Sequence, residues 1–249
     1  MGTRDMEKSY KIKFDYHTHT YYSHGKGRIE DNVRAAAQKG LTGIAVADHG
    51  PGHLFYGIDK REIQDMRLEI DLLRKIYTEM DIFLSVEANI CDFGNCLDIG
   101  ESDLAEYDFI IAGYHYATRN GRTVRNFMHS HSPFGLPGRG RLMCKNTDMA
   151  LKAIYENPIK IFTHPGDKGP FDVFEIAKAC ADRGTYLEIN DHHEHLSAEA
   201  IRIAAKTDAA FVISSDAHTP EGVGSCERGI KRALDAGIDM GRIVNIVEC

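Results

Sequence analysis

His17 and His19 lie two residues apart in an extended segment, so their imidazoles can project to one side and share a cation. An HxH pair alone is weak evidence. It gains weight because seven more potential ligands, His24, His49, Glu87, His115, His164, Asp216 and His218, stand at or near the ends of comparable apolar runs. The runs are KIKFD, GIAVA, IFLSV, FIIAG, IKIFT, TYLEI and FVISS. One tetrahedral zinc ion takes about four ligands. Nine candidates are too many for one ion and point to a cluster of two or three, in which a carboxylate such as Glu87 bridges neighbouring ions.

Chemistry dispersed over two hundred positions needs a fold that gathers it. Apolar runs alternating with helix-length stretches predict a parallel sheet with helices outside, and closure of that sheet brings every C-terminal strand end to one mouth. Seven runs predict seven strands in one α/β domain over 1–249, with the metal site at the C-terminal ends of the strands; the count alone does not exclude an eight-stranded barrel. Ile29, Val33, Ala36 and Ala37 share a helical face that Gly40 is placed to end. A long helix is predicted from Asp59 to Met80, with Ile63, Met66, Ile70, Leu73 and Ile76 as its apolar stripe. Further helices are predicted at Thr147 to Tyr155, Phe171 to Arg183, Ser197 to Lys206 and Cys226 to Ala236. Ala117 to Lys145 reads as too irregular for helix or strand and too long for an ordinary connector, which makes it the expected substrate lid.

Thirty basic and 37 acidic residues give a formal charge of -7, so the surface offers no basic field for duplex nucleic acid. The six cysteines form no CxxC pair, MGTRDMEKSYK lacks a signal peptide's apolar stretch, and no run approaches the roughly 20 apolar residues that span a bilayer. A cytoplasmic protein with reduced thiols is expected.

The strings DYHTHT (15–20), SHG (23–25), ADHG (47–50), VEANI (86–90), GYH (113–115), THPG (163–166), LEIN (187–190) and SSDAH (214–218) resemble, in order, the motifs of the PHP (polymerase and histidinol phosphatase) phosphoesterases. The resemblance spans essentially the whole chain and is strongest to small stand-alone bacterial members. It implies an α/β fold with a distorted (β/α)7 barrel and a trinuclear metal centre at the C-terminal ends of the strands; an imidazole-rich donor set suits zinc first, with iron or manganese as alternatives. By the same resemblance, His17, His19, Glu87 and Asp216 hold one ion, Glu87, His115 and His164 a second, and His24, His49 and His218 the third. Clustered cations can bring a shared water's pKa near neutrality and stabilise an in-line displacement at phosphorus. The expected activity is phosphate ester hydrolysis of a small phosphorylated substrate, with Glu87, Asp216 and His218 as the catalytic set. A terminal nucleotide is the only nucleic-acid substrate in view, and histidinol phosphate is the specific alternative. An amidohydrolase also uses HxH on a barrel strand, but ADH and the terminal DAH favour the phosphoesterase. A metal-binding regulatory domain without catalysis would have lost cluster ligands, and all nine are present.

Asp15 and Asp48 are placed to orient ligand histidines from outside the cluster. Arg119, Arg122 and Arg139, with Arg125 and Arg141 beside them, are the candidate substrate contacts, because an arginine fork suits phosphate. His53, His129 and His131 read as surface residues, and His192, His193, Glu194 and His195 as a polar turn before the helix at Ser197.

Overall fold

The computed structural model describes residues 9–118, 123–131 and 137–249. A short strand β1 (Tyr10–Ile12) is followed after Lys13 by seven parallel strands, each paired with its neighbours in sequence: β2 (Phe14–Thr18), β3 (Gly43–Val46), β4 (Asp81–Asn89), β5 (Phe109–Gly113), β6 (Ile159–Phe162), β7 (Tyr186–Asn190) and β8 (Phe211–Ser214). A final strand, β9 (Ile246–Glu248), pairs antiparallel with β1. The expected seven-stranded barrel is present and nearly closed.

Closure between β2 and β8 uses few ladder bonds. Thr18 bridges Ala217, and His19 N donates to the Ala217 carbonyl at 2.8 Å. Lower in the seam the Asn245 side chain takes the place of a strand. Its Oδ1 accepts from Ile213 N at 3.0 Å, and its Nδ2 donates to the carbonyls of Ile213 at 2.6 Å and Phe14 at 2.7 Å. Asp15 works at the same seam. Its carboxylate accepts from Ser215 N (3.1 Å), Ser215 Oγ (2.5 Å) and Gly224 N (2.8 Å). Asp15 was expected to orient a ligand ring; it touches only the backbone of His17, at 3.4 Å, and ties β2 to the segment after β8.

The helices lie outside. They are α1 (Ile29–Gln38), α2 (Lys60–Ile76), α3 (Thr123–His131), α4 (Arg139–Glu156), α5 (Val173–Arg183), α6 (Ala198–Ala204) and α7 (Glu227–Ala236). The N-cap Asp59 accepts from Arg61 N and Glu62 N, an arrangement that stabilises a helix by about 1 kcal/mol. Ile63, Met66, Ile70 and Leu73 of α2 are buried as predicted, whereas Ile76 is 70% exposed in the last turn. Asp172 and Ser197 cap α5 and α6 in the same way.

The stretch expected to be irregular contains α3 and the first turns of α4. Periodicity hid α3 because its buried residues are polar, Asn126 and His129, while Val124, Phe127 and Met128 face solvent. Asn126 Nδ2 donates to Tyr114 Oη at 2.8 Å, and Asn146 Nδ2 to Asn126 Oδ1 at 2.7 Å, so α3 docks on α4 through amides. The opening turn of α4 buries only Leu142 before Asn146, too little for a visible stripe.

Alternation along the strands divides the core. Ile110, Ala112, Phe211 and Ile213 pack outward under the helices, while Ala47, Ile111, Ile161 and Val212 fill the barrel with Tyr16, Phe109 and Tyr186 against them. On the inward face above this apolar layer the side chains turn polar.

Candidate metal centre

A bulge in β2 sets the first ligand. Asp15 pairs with Ile44 but Thr18 with Val46, so β2 carries one extra residue over that interval. Tyr16 can then pack into the inner apolar layer while His17 enters the polar layer above it. His17 Nδ1 donates to Glu188 Oε1 at 2.9 Å, which leaves Nε2 facing the mouth. His218 is fixed the same way, with Nδ1 donating to the Asp216 carbonyl at 2.8 Å.

Glu87 stands at the centre. Val86 and Ala88 point into the outer core, so Glu87 points inward. Its Oε1 lies 2.7 Å from His164 Nε2, 3.2 Å from His115 Nε2 and 3.4 Å from His17 Nε2; its Oε2 lies 3.0 Å from His49 Nδ1 and 3.7 Å from His19 Nε2. Asp216 Oδ1 is 3.2 Å from His19 Nε2 and 3.6 Å from His17 Nε2. His24 Nε2 and His218 Nε2 approach to 2.5 Å. His164 and Asp216 both hold positive φ, 26° and 53°, a strained backbone for these residues and one that recurs at functional sites. Gly113 has no room for a side chain: a Cβ there would meet Thr163 Oγ1 at 2.2 Å and Glu87 Oε1 at 3.2 Å.

The electrostatics follow from burial against proximity. Burial would raise the Glu87 and Asp216 carboxyls, but His115, His17 and His164 around the first, and His17 and His19 around the second, hold both well below the usual range. Burial would lower His17, yet Asp216, Glu87 and Glu188 carry it well above 6.5; Asp216 and Asp48 likewise bring His19 to about 9. Desolvation prevails at His115, lowered to about 3, and at His218, lowered to about 4.

The donors suit divalent cations. Among the described residues, His49 Nδ1, both nitrogens of His115, and Asp216 Oδ1 are buried without a well-aligned hydrogen-bond partner, although carboxylates or imidazoles stand close by. Lone pairs that converge but do not bond one another are matched by a cation between them. Among the described residues, four sets have all donor atoms within 4.8 Å of one another: His17, His19 and Asp216; His49, Glu87 and His115; His19, His24 and His49; and, at the side of the mouth, Asp167, His193 and His195. His49 thus stands with Glu87 and His115 as well as with His24.

The mouth is a cavity of about 290 Å³ lined by His19, His24, His49, Glu87, His115, His164, Asp216 and His218, with His17 buried below. Asp48 holds the loop that carries His24: it accepts from Thr20 N at 2.8 Å and from Thr20 Oγ1 and Ser23 Oγ at 2.5 Å, and lies 3.8 Å from His19 Nδ1. Arg119 and Arg122 lie outside the described residues. Arg125, Arg139 and Arg141 are exposed, and no arginine is among the described residues lining the cavity. His53, expected on the surface, is a wall of the mouth, stacked on His49 at 4.7 Å. His129 and His131 stay on α3, away from the cavity-lining set. The segment read as a polar turn is a turn that also reaches the mouth, bringing His192 and His193 to the cavity and His195 to Asp167, at 3.0 Å.

Sequence reasoning missed Glu188, which serves two ligands. Its Oε1 accepts from His17 and its Oε2 from His164 N at 2.7 Å and Asn190 Nδ2 at 2.9 Å. A glutamate in the middle of the apolar run TYLEI was the available signal. Thr163, whose hydroxyl donates to Glu87 at 2.9 Å, and Lys168 at the rim gave no periodic signal.

The fold and site define an α/β barrel with imidazoles and carboxylates collected at the carboxyl ends of its strands. Residues 15–172 match the PHP domain family and residues 195–235 the PHP-associated family; the chain belongs to the PHP family. It is similar to a "Probable phosphatase" of Acetivibrio thermocellus, 24% identical over 249 residues that cover 94% of this chain and 91% of that one. A "Probable phosphatase" of Tolumonas auensis is 28% identical over 253 residues, covering 94% and 90%. Among solved structures, the histidinol phosphate phosphatase of Lactococcus lactis subsp. lactis, complexed with zinc, L-histidinol and phosphate, superposes with a TM-score of 0.60 at 16% identity, covering 92% of this chain and 95% of that one. At that identity the likeness concerns the fold. No helix among the described residues is long and apolar enough to cross a membrane.

Proposed function

We propose that this chain, acting as one domain in the cytoplasm, hydrolyses small phosphate monoesters with three divalent cations, zinc first, held by His17, His19, His24, His49, Glu87, His115, His164, Asp216 and His218. The observation that carries this reading is Glu87, buried at 1% exposure with five imidazoles within 3.7 Å of its two oxygens. Cations bound there would bring the pKa of a coordinated water toward neutrality and offset charge building on the phosphoryl group.

The chain's own groups prepare that chemistry. Glu87 and Asp216, ionised at any ordinary pH, supply the anionic donors, and His115 and His218 stay neutral and offer lone pairs. Glu188 fixes the tautomer of His17 and the backbone of His164, keeping two donors aimed before any cation arrives. The small cavity and the charge of -7 favour a compact phosphorylated metabolite over polymeric nucleic acid. The family membership and the names of the relatives support the reaction class.

Elemental analysis of purified protein, with p-nitrophenyl phosphate turnover before chelation, after chelation and after re-addition of zinc, manganese or iron, tests the proposal. About three ions per chain and turnover restored by metal are expected; histidinol phosphate belongs first in the substrate panel that follows. One ion or none, with no turnover under any metal, would sink it and leave a metal-binding regulatory domain.

A further inference from the structure

The arginines that phosphate chemistry leads one to expect are absent from the described cavity wall, yet a dianionic ester needs positive charge on its solvent side. Besides the imidazoles, Lys168 is the one cationic side chain among the described residues lining the cavity. We infer that Lys168 takes the outward phosphoryl oxygen of the substrate, held in place by Asp167 with His193 and His195 behind it. The inference rests on the phosphomonoesterase reading above.

The placement is built. Lys168 Nζ lies 2.5 Å from Asp167 Oδ2 and 5.7 Å from the centre of the Tyr116 ring, which also lines the cavity. Its side chain keeps 26% exposure, so the ammonium is anchored without being enclosed. The contact with Asp167 is an ion pair, and of the three donors of the ammonium at least two remain for a ligand. Asp167 is buried, and its other oxygen receives His195 Nδ1 at 3.0 Å and His193 Nδ1 at 3.3 Å, so the anchor has little freedom. The His193 ring continues inward, with Nε2 3.5 Å from Asp216 Oδ2. Lys168 is therefore joined to the metal-ligating carboxylate by a continuous path through Asp167 and one imidazole. A phosphoryl group seated on the cations would have its outer oxygens toward this side of the mouth.

Asp167 is on this view a positioning residue, acting through the lysine. Two independent roles would give additive losses; one shared role would not.

The experiment uses the metal-loaded full chain and three variants, Lys168→Met, Lys168→Arg and Asp167→Asn, with metal content, p-nitrophenyl phosphate kinetics and inorganic phosphate binding by calorimetry. Loss of a charge-assisted hydrogen bond should raise KM and the phosphate Kd by roughly 10- to 100-fold in Lys168→Met. Metal content should hold, kcat should change less than KM, and Lys168→Arg should recover most of the affinity. Asp167→Asn should weaken phosphate binding in the wild-type background and add little in the Lys168→Met background. Wild-type turnover with unchanged KM and phosphate Kd in Lys168→Met would overturn the role of Lys168 and leave the phosphatase reading intact. Lysine-dependent phosphate binding without turnover of any monoester would uphold the lysine and overturn that reading. No phosphate binding by the metal-loaded wild type would overturn the lysine assignment outright.

Discussion

Two buried carboxylates near the ends of the same pair of strands have opposite surroundings. Asp15, in the seam between β2 and β8, has its oxygens filled by Ser215 N, Ser215 Oγ and Gly224 N. Asp216, three residues beyond Ile213 on the far side of that seam, leaves Oδ1 without a hydrogen-bond partner while two imidazole nitrogens stand 3.2 and 3.6 Å away. The first is satisfied by the chain that folds around it; the second is surrounded by groups that share its need. Buried polarity answered from within holds a fold together, and buried polarity left converging on one point awaits a ligand.

The contrast can be broken at its centre. Glu87→Ala should remove most bound metal and lower turnover by more than the roughly 10- to 100-fold typical of losing an outer partner, because five imidazoles lose a common anion. Elemental analysis alongside kinetics decides it, and full activity at unchanged metal content would refute the assignment. Glu188→Gln reaches the same site indirectly. A drop of about 10- to 100-fold in metal affinity is expected, read by competition with a chelator, with the fold retained.

Asp15→Asn should show the converse pattern. An amide would set its NH2 against donors, so folding stability should fall by about 1–3 kcal/mol in urea melts while the protein that remains folded keeps its metal. Equal losses of metal in Asp15→Asn and Glu188→Gln would erase the distinction between seam and mouth.

A pH series on metal-stripped protein sharpens it further. His115 and His218, at about 3 and 4 in the fold, bind protons more readily once unfolded, so the stability they contribute above about 6.5 is lost as pH falls toward 4 and then 3. His19, at about 9 in the fold, acts in the other sense: its contribution is full below about 6.5 and disappears as pH rises through 9. Thermal melts should therefore peak near pH 6.5 and decline on both sides. A melting temperature flat from pH 5 to 9 would contradict the charge arrangement around the cluster.

The barrel was legible because each strand is a compact apolar run with its polar residue at the end that faces the mouth. All nine expected ligands meet there for the same reason. What escaped was polar in a way that periodicity does not register. Helix α3 buries Asn126 and His129 and exposes Val124, Phe127 and Met128, the reverse of an amphipathic surface helix. Glu188 was passed over because a single charge inside an apolar run reads as an interruption of a strand; here it is the inward residue between Leu187 and Ile189. His53, His193 and Lys168 reach the cavity from turns, where spacing along the chain says little about direction. Phosphate chemistry favoured arginines, and among the described residues the cavity wall offers a lysine.

Asn245 has a consequence in time as well as in space. The strand that carries His17 near the amino end meets its last neighbour through Ala217, the Asp15 carboxylate on Ser215 and the amide of Asn245. During synthesis His17 and His19 emerge more than two hundred residues before that clasp, so the barrel cannot shut, and the cluster cannot reach its final geometry, until Asn245 has left the ribosome. If the cluster takes up cations as proposed, a complete set of donors would form only after Asn245 has emerged, and His17 and His19 would wait in an open sheet until the other residues arrive.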